Sequence, residues 1–307
     1  MNAEQLLEIS DFVVKSKNDF SLQETSVPAV IIQKLIENED REAMIDCKSE
    51  AKWTAKRMLD AIINLAVRFS EFGIKKNDVV AFYAANSDIH TLALLAVWCI
   101  GAVYTASLQS NPLRLRFLKI STKFKIIFYF ALKLFNLGEI RNVVIDSGAV
   151  FIVSCEQNLQ ICEQLVNEVN VVKKIFVIDG NQEKYISVCS LLNGEISENK
   201  KEWFFKQLSA IKSNDLLKVN FSSGTTGKPK ATTLRNSNLL AVLATATPGF
   251  EFILKDDIVP IVSHYSHTGG TLTLAAALLQ GCKIAVVAQF ESKTFIEYVQ
   301  KYNVSKF

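Results

Sequence analysis

Val219-Asn-Phe-Ser-Ser-Gly-Thr-Thr-Gly-Lys-Pro-Lys230 carries an apolar run into six consecutive small residues, Ser222 to Gly227, and closes on two lysines, Lys228 and Lys230. The run Leu217 to Phe221 has the length and composition of a buried strand. Beyond it, four hydroxyls, flexible glycines and exposed N–H groups can wrap a polyphosphate, and the lysines add positive charge. Pro229 stands where a Walker A loop requires glycine, and Asn220 and Phe221 stand where a nucleophile elbow would need one. A plain Ser/Thr/Gly linker is the bland alternative. The strand before, the paired lysines after and the specific residue order argue against it.

Working outward, strand and helix patterns alternate. Thr54 to Phe72 repeats apolar residues at helical spacing (Met58, Ile62, Leu65, Phe69, Phe72), with Thr54 as N-cap and Gly73 as the stop. A strand follows at Val79 to Ala84, a turn and cap at Asn86-Ser87-Asp88, a helix at Ile89 to Ile100, and a strand at Ala102 to Ala106. After residue 149 the pattern resumes with strands at Val150 to Val153, Lys174 to Ile178, Leu217 to Phe221, Ile258 to Val262 and Lys283 to Val287. Helices are expected near Glu156 to Asn167, after Asn236, and at Thr271 to Leu279 and Glu291 to Tyr302. The fold class is α/β, with mainly parallel sheet flanked by helices.

The 307 residues are 49% hydrophobic and 21% charged, enough for a sizeable core of one or two domains. A net charge of +3 from 34 basic and 31 acidic residues provides no overall field for nucleic acid, and no nucleic-acid partner is expected. The six cysteines are scattered without a Cys-x-x-Cys pair and read as reduced thiols of an intracellular protein. The opening residues have neither the apolar run of a signal peptide nor the character of a transit peptide. Ser305-Lys306-Phe307 faintly resembles a peroxisomal address, so the expected location is cytoplasmic or peroxisomal. Two charge-free stretches, Thr91 to Asn111 and Ile258 to Cys282, are interrupted by glycines and polar residues. They read as a helix with a strand and a strand with a helix, not as membrane spans.

One segment breaks the alternation. Between Pro112 and Gly138 lie six basic residues, no acidic ones and five of the twenty phenylalanines, so without it the net charge would be −3. A basic amphipathic membrane helix is one reading. The apolar residues keep no clean period, which favours residues 113–137 as an insertion foreign to the fold, such as a translated intron rich in Phe, Ile and Lys codons.

The run Ser222-Ser-Gly-Thr-Thr-Gly-Lys-Pro-Lys230 is similar to the signature of the adenylate-forming superfamily, which includes acyl-CoA synthetases, 4-coumarate:CoA ligases and beetle luciferases. Lys76-Asn-Asp-Val-Val-Ala81, Asn111-Pro112 and Gly281-Cys-Lys-Ile-Ala-Val-Val-Ala-Gln-Phe-Glu291 resemble flanking elements in the same order, so the likeness covers roughly residues 20 to 307. It implies part of the large N-terminal domain of an acid-thiol ligase that uses ATP, Mg2+ and CoA to activate a small carboxylic acid, fatty or aryl. Acyl-adenylate would form first and the thioester second. By the same resemblance Ser222, Ser223, Gly224, Thr225, Thr226, Gly227 and Lys230 hold the departing pyrophosphate, and Lys228 is at a variable position. Ala231 and Asn236 depart from the Gly and His common in relatives.

Ser263-His264-Tyr265-Ser266-His267 resembles a Pro-x-Phe-His element that lines the acyl pocket, and His267 matches its histidine. Ser266 replaces the aromatic and His264 the proline. A structural histidine is the competing reading. A metal site at His264-x-x-His267 lacks a third ligand at the usual spacing, so no metal ligands are assigned. Segments that relatives use for adenine, ribose and a mobile C-terminal domain with a catalytic lysine have no counterpart in these residues. The chain is therefore expected to be an incomplete domain, not competent alone. A non-catalytic protein that binds a phosphate ligand or a partner is the alternative.

Overall fold

A computed structural model of the chain describes residues 7–10, 13–16, 25–107, 137–180, 183–222, 229–246 and 254–305. Strands β1 (Leu7–Ser10) and β2 (Val13–Ser16) pair antiparallel with each other. The chain continues through α1 (Val27–Glu37), β3 (Glu42–Asp46), β4 (Lys52–Thr54), α2 (Ala55–Glu71), β5 (Val79–Tyr83), α3 (Asp88–Ile100) and β6 (Val103–Ala106). Next come α4 (residues 137–147), β7 (Ala149–Ser154), α5 (Leu159–Val169), β8 (Lys174–Val177), β9 (Ile186–Ser187) and α6 (Glu198–Ser209). The last elements are β10 (Leu216–Ser222), β11 (Lys230–Arg235), α7 (Asn236–Ala246), β12 (Ile258–Ile261), α8 (Thr268–Leu279), β13 (Lys283–Val286) and α9 (Ser292–Tyr302).

Two sheets carry the architecture. The larger runs β11-β10-β6-β5-β7-β8-β9 and is parallel except where β10 meets β11. The smaller runs β12-β13-β3-β4 and is parallel except at β3 and β4. One core joins Val80, Phe82 and Tyr104 of the larger sheet to Met44, Ile261 and Ile284 of the smaller through the buried faces of α1, α2, α3 and α8. Helices α4 and α5 cover the other face of the larger sheet through Ile140, Val144, Ile161 and Leu165. Phe295, Tyr298 and Tyr302 of α9 do the same for the smaller one. The order of layers is helix, sheet, helix, sheet, helix.

Local chemistry explains the elements. Thr54 caps α2 by accepting from Arg57 N, and Gly73 just beyond its end takes φ +100°, which suits glycine. Ser87 caps α3 by accepting from His90 N, and twelve of the thirteen residues of α3 are buried because it lies between the sheets. The described part of the first charge-free stretch forms α3 and β6, and the second forms β12 and α8. No helix among the described residues is long and apolar enough to cross a membrane. Cys47, Cys99, Cys162 and Cys282 are buried, Cys155 is half-buried and Cys189 exposed, all as free thiols.

The differences from the sequence reading have physical reasons. The expected single alternation resolves into two sheets because β3 pairs with β13, setting Met44 opposite Ile284 from the far end of the chain. Strands β4 and β9 are too short to show a period, and α6 buries only Phe204 and Leu208. Helix α8 starts at Thr268 instead of Thr271, taking Gly269 and Gly270 into its first turn. Residues 113–136 of the expected insertion, together with Asn111 and Pro112, lie outside the described residues; Leu137 begins α4.

Asn236 is buried and anchors α1. Its Oδ1 accepts from Val27 N (2.9 Å) and its Nδ2 donates to Asp215 O (3.1 Å). Asn236→Ala would strand the buried Val27 N–H. The expected cost is about 1–3 kcal/mol, read from the urea midpoint; an unchanged midpoint would show that the anchor carries no stability.

Candidate functional site

Strand β10 places the phosphate-loop candidates. It runs parallel to β6, with Lys218 beside Tyr104 and Val219 beside Thr105, so its last residue emerges at the carboxyl edge of the larger sheet, where open α/β sheets bind ligands. Strand β11 returns antiparallel and sets Lys230 opposite Ser222, whose Oγ lies 3.5 Å from Lys230 O. Both are exposed. The hairpin therefore holds the two ends of the loop side by side at an open sheet edge. Ser223, Gly224, Thr225, Thr226, Gly227 and Lys228 lie outside the described residues.

The turn after β12 meets the same edge from the other sheet. Asn86, just past β5, is buried and bridges it: Nδ2 donates to Ser263 O (3.0 Å), and Oδ1 accepts from Tyr265 N (3.1 Å). His264 Nδ1 accepts from Ser266 N (3.1 Å), which leaves Nε2–H to donate to Ala84 O (2.9 Å). Tyr265 is fully buried, and its hydroxyl donates to Thr91 Oγ1 (2.7 Å), whose own proton goes to Ser87 O (2.8 Å). His90 stacks on Phe82, donates from Nδ1 to Ala85 O (3.0 Å) and accepts from the Tyr104 hydroxyl at Nε2 (3.1 Å). His267 stands at the N-cap of α8 with its side chain exposed.

The sequence reading assigned no role to Lys218, which has only 1% of its surface exposed. Its Nζ donates to the carbonyls of Tyr265 (2.9 Å), Ser266 (3.2 Å) and His267 (3.1 Å), and to Thr271 Oγ1 (3.2 Å). It also lies 5.8 Å over the Tyr104 ring. Burial draws its pKa down to about 7, while carbonyl partners favour the charged form. Strand alternation puts Lys218, Asn220 and Ser222 on one face, grading from buried through half-buried to exposed. Asn220 Oδ1 has no partner among the described residues. The available signal for Lys218 was a lone charge inside the apolar run Leu216 to Val219; Asn86 was legible only as a turn former.

Both ring nitrogens of His264 are engaged, and among the described residues no group of three or more His, Cys, Asp or Glu could hold a metal ion. Two cavities, of about 470 Å³ beside Lys283 and Lys301 and about 750 Å³ beside Trp53 and Asn64, touch neither the hairpin nor the turn.

Burial lowers the pKa of His264 to about 4 and that of His90 to about 3, both below the ordinary value near 6.5. Below pH 6.5 the unfolded chain therefore binds protons that the folded chain does not, so stability is expected to fall as pH drops, with the loss continuing to about 4 for His264 and about 3 for His90. The chain has three histidines. Ring NMR at pH 5 should show His90 and His264 still neutral, and protonation of either at that pH would contradict the buried geometry.

Residues 33–307 match the AMP-binding enzyme family. The chain is 23% identical over 273 residues to the chloroplastic/peroxisomal 2-succinylbenzoate–CoA ligase of Arabidopsis thaliana, covering 87% of this chain and 44% of that protein. It is 24% identical over 295 residues to the probable 4-coumarate–CoA ligase 1 of Dictyostelium discoideum, covering 92% and 49%. The chain thus spans about half the length of these curated relatives. Among solved structures, the luciferase-like enzyme from the nonluminescent mealworm Zophobas morio superposes with a TM-score of 0.72 at 19% identity, covering 94% of this chain and 60% of that one, a likeness of fold. With the family matched over nearly the whole length and the layered sheets in agreement, the chain belongs to the AMP-binding enzyme family.

Proposed function

We propose that this chain supplies the pyrophosphate-binding and acyl-binding parts of an ATP-dependent carboxylate–CoA ligase, within the N-terminal domain of such an enzyme. The observation that carries this reading is the β10–β11 hairpin. It sets Ser222 beside Lys230 at the carboxyl edge of the sheet and leaves a Ser/Thr/Gly-rich loop between them. Donors on Ser222, Ser223, Gly224, Thr225, Thr226, Gly227 and Lys230 would hold the β and γ phosphates of Mg-ATP. A substrate carboxylate would attack the α phosphorus, giving acyl-adenylate and pyrophosphate, and the CoA thiol would then take the acyl group, losing its proton as AMP leaves. His267, presented from the facing turn, would hold the carboxylate. ATP and CoA enter as co-substrates with Mg2+, and the acid is a fatty or aryl carboxylate; the 2-succinylbenzoate– and 4-coumarate–CoA ligases among the relatives support the aryl class. The six free thiols support a reducing compartment, cytoplasm or peroxisome.

Saturable binding of pyrophosphate and Mg-ATP to the chain is expected by titration calorimetry. Lys230→Ala should weaken it about tenfold, the scale of one lost charge-assisted hydrogen bond. Absence of saturable pyrophosphate binding, or binding indifferent to Lys230→Ala, would overturn the reading. Carboxylate-dependent ATP–pyrophosphate exchange across aromatic, medium-chain and long-chain acids would then identify the acid.

A further inference from the structure

Tyr265, Ser266 and His267 present three successive carbonyl oxygens to one nitrogen, with the Thr271 hydroxyl as a fourth neighbour. Thr271 can give its own proton to Thr268 O (3.2 Å), so all four oxygens about Lys218 can act as acceptors. An ammonium has three donors to share among them, whereas a neutral amine has two and a lone pair. Loss of the Lys218 proton therefore leaves two N–H groups for these four acceptors, of which His267 O has a second, long donor in Thr271 N (3.5 Å), so the buried turn loses part of its hydrogen bonding. The opposite flank of the turn is held by packing: a Cβ at Gly270 would come within 2.6 Å of the carbonyl oxygens of Ser263 and His264. His267 belongs to the stretch between these two restraints.

We propose that Lys218 is a positioning residue for His267, and that the turn from Ser263 to Thr268 keeps this geometry only while the Lys218 ammonium holds its proton. The role rests on the reading of His267 as part of the acyl site. It would make the acyl half of the site respond to pH through a residue that touches neither substrate. The titratable groups facing Lys218 are His264, Tyr265 and His267 from the turn and Tyr104 from β6. His90 of α3 lies beyond Tyr104 and Tyr265, and Asp46 and Asp88 act electrostatically on Tyr265. Among the described residues no carboxylate is hydrogen-bonded to Lys218. Burial holds Tyr104 and Tyr265 protonated, and His90 and His264 neutral, through the neutral range. Lys218 is the buried member of this set whose lowered value, about 7, falls in that range.

The decisive experiment is NMR on the full chain, following the Lys218 Cε signal and the backbone amides of Ser266, His267 and Thr268 from pH 5 to 10. In the unmodified protein the lysine and the three amides are expected to share one midpoint, about 7. In Lys218→Met, checked for folding by its thermal transition, the step at the lysine midpoint should vanish from the three amides. A lysine signal that titrates without the amides, or one that keeps its charged value to pH 10, overturns the proposal. So does an amide step that survives in Lys218→Met. If Lys218→Met does not fold, the titration of the unmodified chain decides alone. Where exchange activity is present, Lys218→Met should lower kcat about tenfold and leave KM for ATP unchanged. Absence of exchange in the unmodified chain would count against the proposed ligase activity, and the NMR result would still decide the role of Lys218.

Discussion

Three adjacent carbonyls need donors, and in this fold they find them on one buried lysine. Residues 265–267 sit where the chain leaves β12 of the smaller sheet and enters α8, next to β10 of the larger. A turn there has no strand neighbour to satisfy its backbone, and burying bare carbonyls costs about as much as a lost hydrogen bond each. The Lys218 ammonium meets all three and in doing so ties the two sheets together at the site. The opposing cost is a charge with 1% exposure and, among the described residues, no hydrogen-bonded carboxylate, which is why its proton is held weakly.

A second set of contacts braces that turn around the exposed His267. Asn86 uses both ends of its amide on the turn, His264 uses both ring nitrogens, and Tyr265 reaches Thr91 through its hydroxyl. Buried networks satisfied at every member specify one arrangement, whereas a half-satisfied network would not. His267 is the member whose ring is left to solvent. An exposed imidazole on a fully braced turn is how a fold presents one group at a fixed place. The polar face of β10, from Lys218 through Asn220 to Ser222, then runs from this turn toward the loop end.

The hairpin at the sheet edge solves a different problem. Its returning strand, β11, is exposed at five of six positions, and as an edge strand it would invite pairing with another chain. Lys230 and Arg235 at its two ends place charge on that edge. The same strand brings Lys230 back beside Ser222, so these two residues are held together by ladder hydrogen bonds.

The sequence by itself determined the α/β class, the alternation from Thr54 to Ile100, the cap at Thr54, a cap within Asn86-Ser87-Asp88, and the family, because these depend on short-range periodicity and on a contiguous motif. It also placed His267 and the loop residues as candidates. The pairing of β3 with β13, the start of α8 at Thr268 and the engagement of His264 were decided by tertiary structure. Each depends on partners brought from distant parts of the chain. Lys218 is the clearest case: in sequence it is a misplaced charge in an apolar strand. Only the meeting of two sheets supplies the carbonyls that give it a role, because burial and hydrogen bonding are properties of neighbours in space.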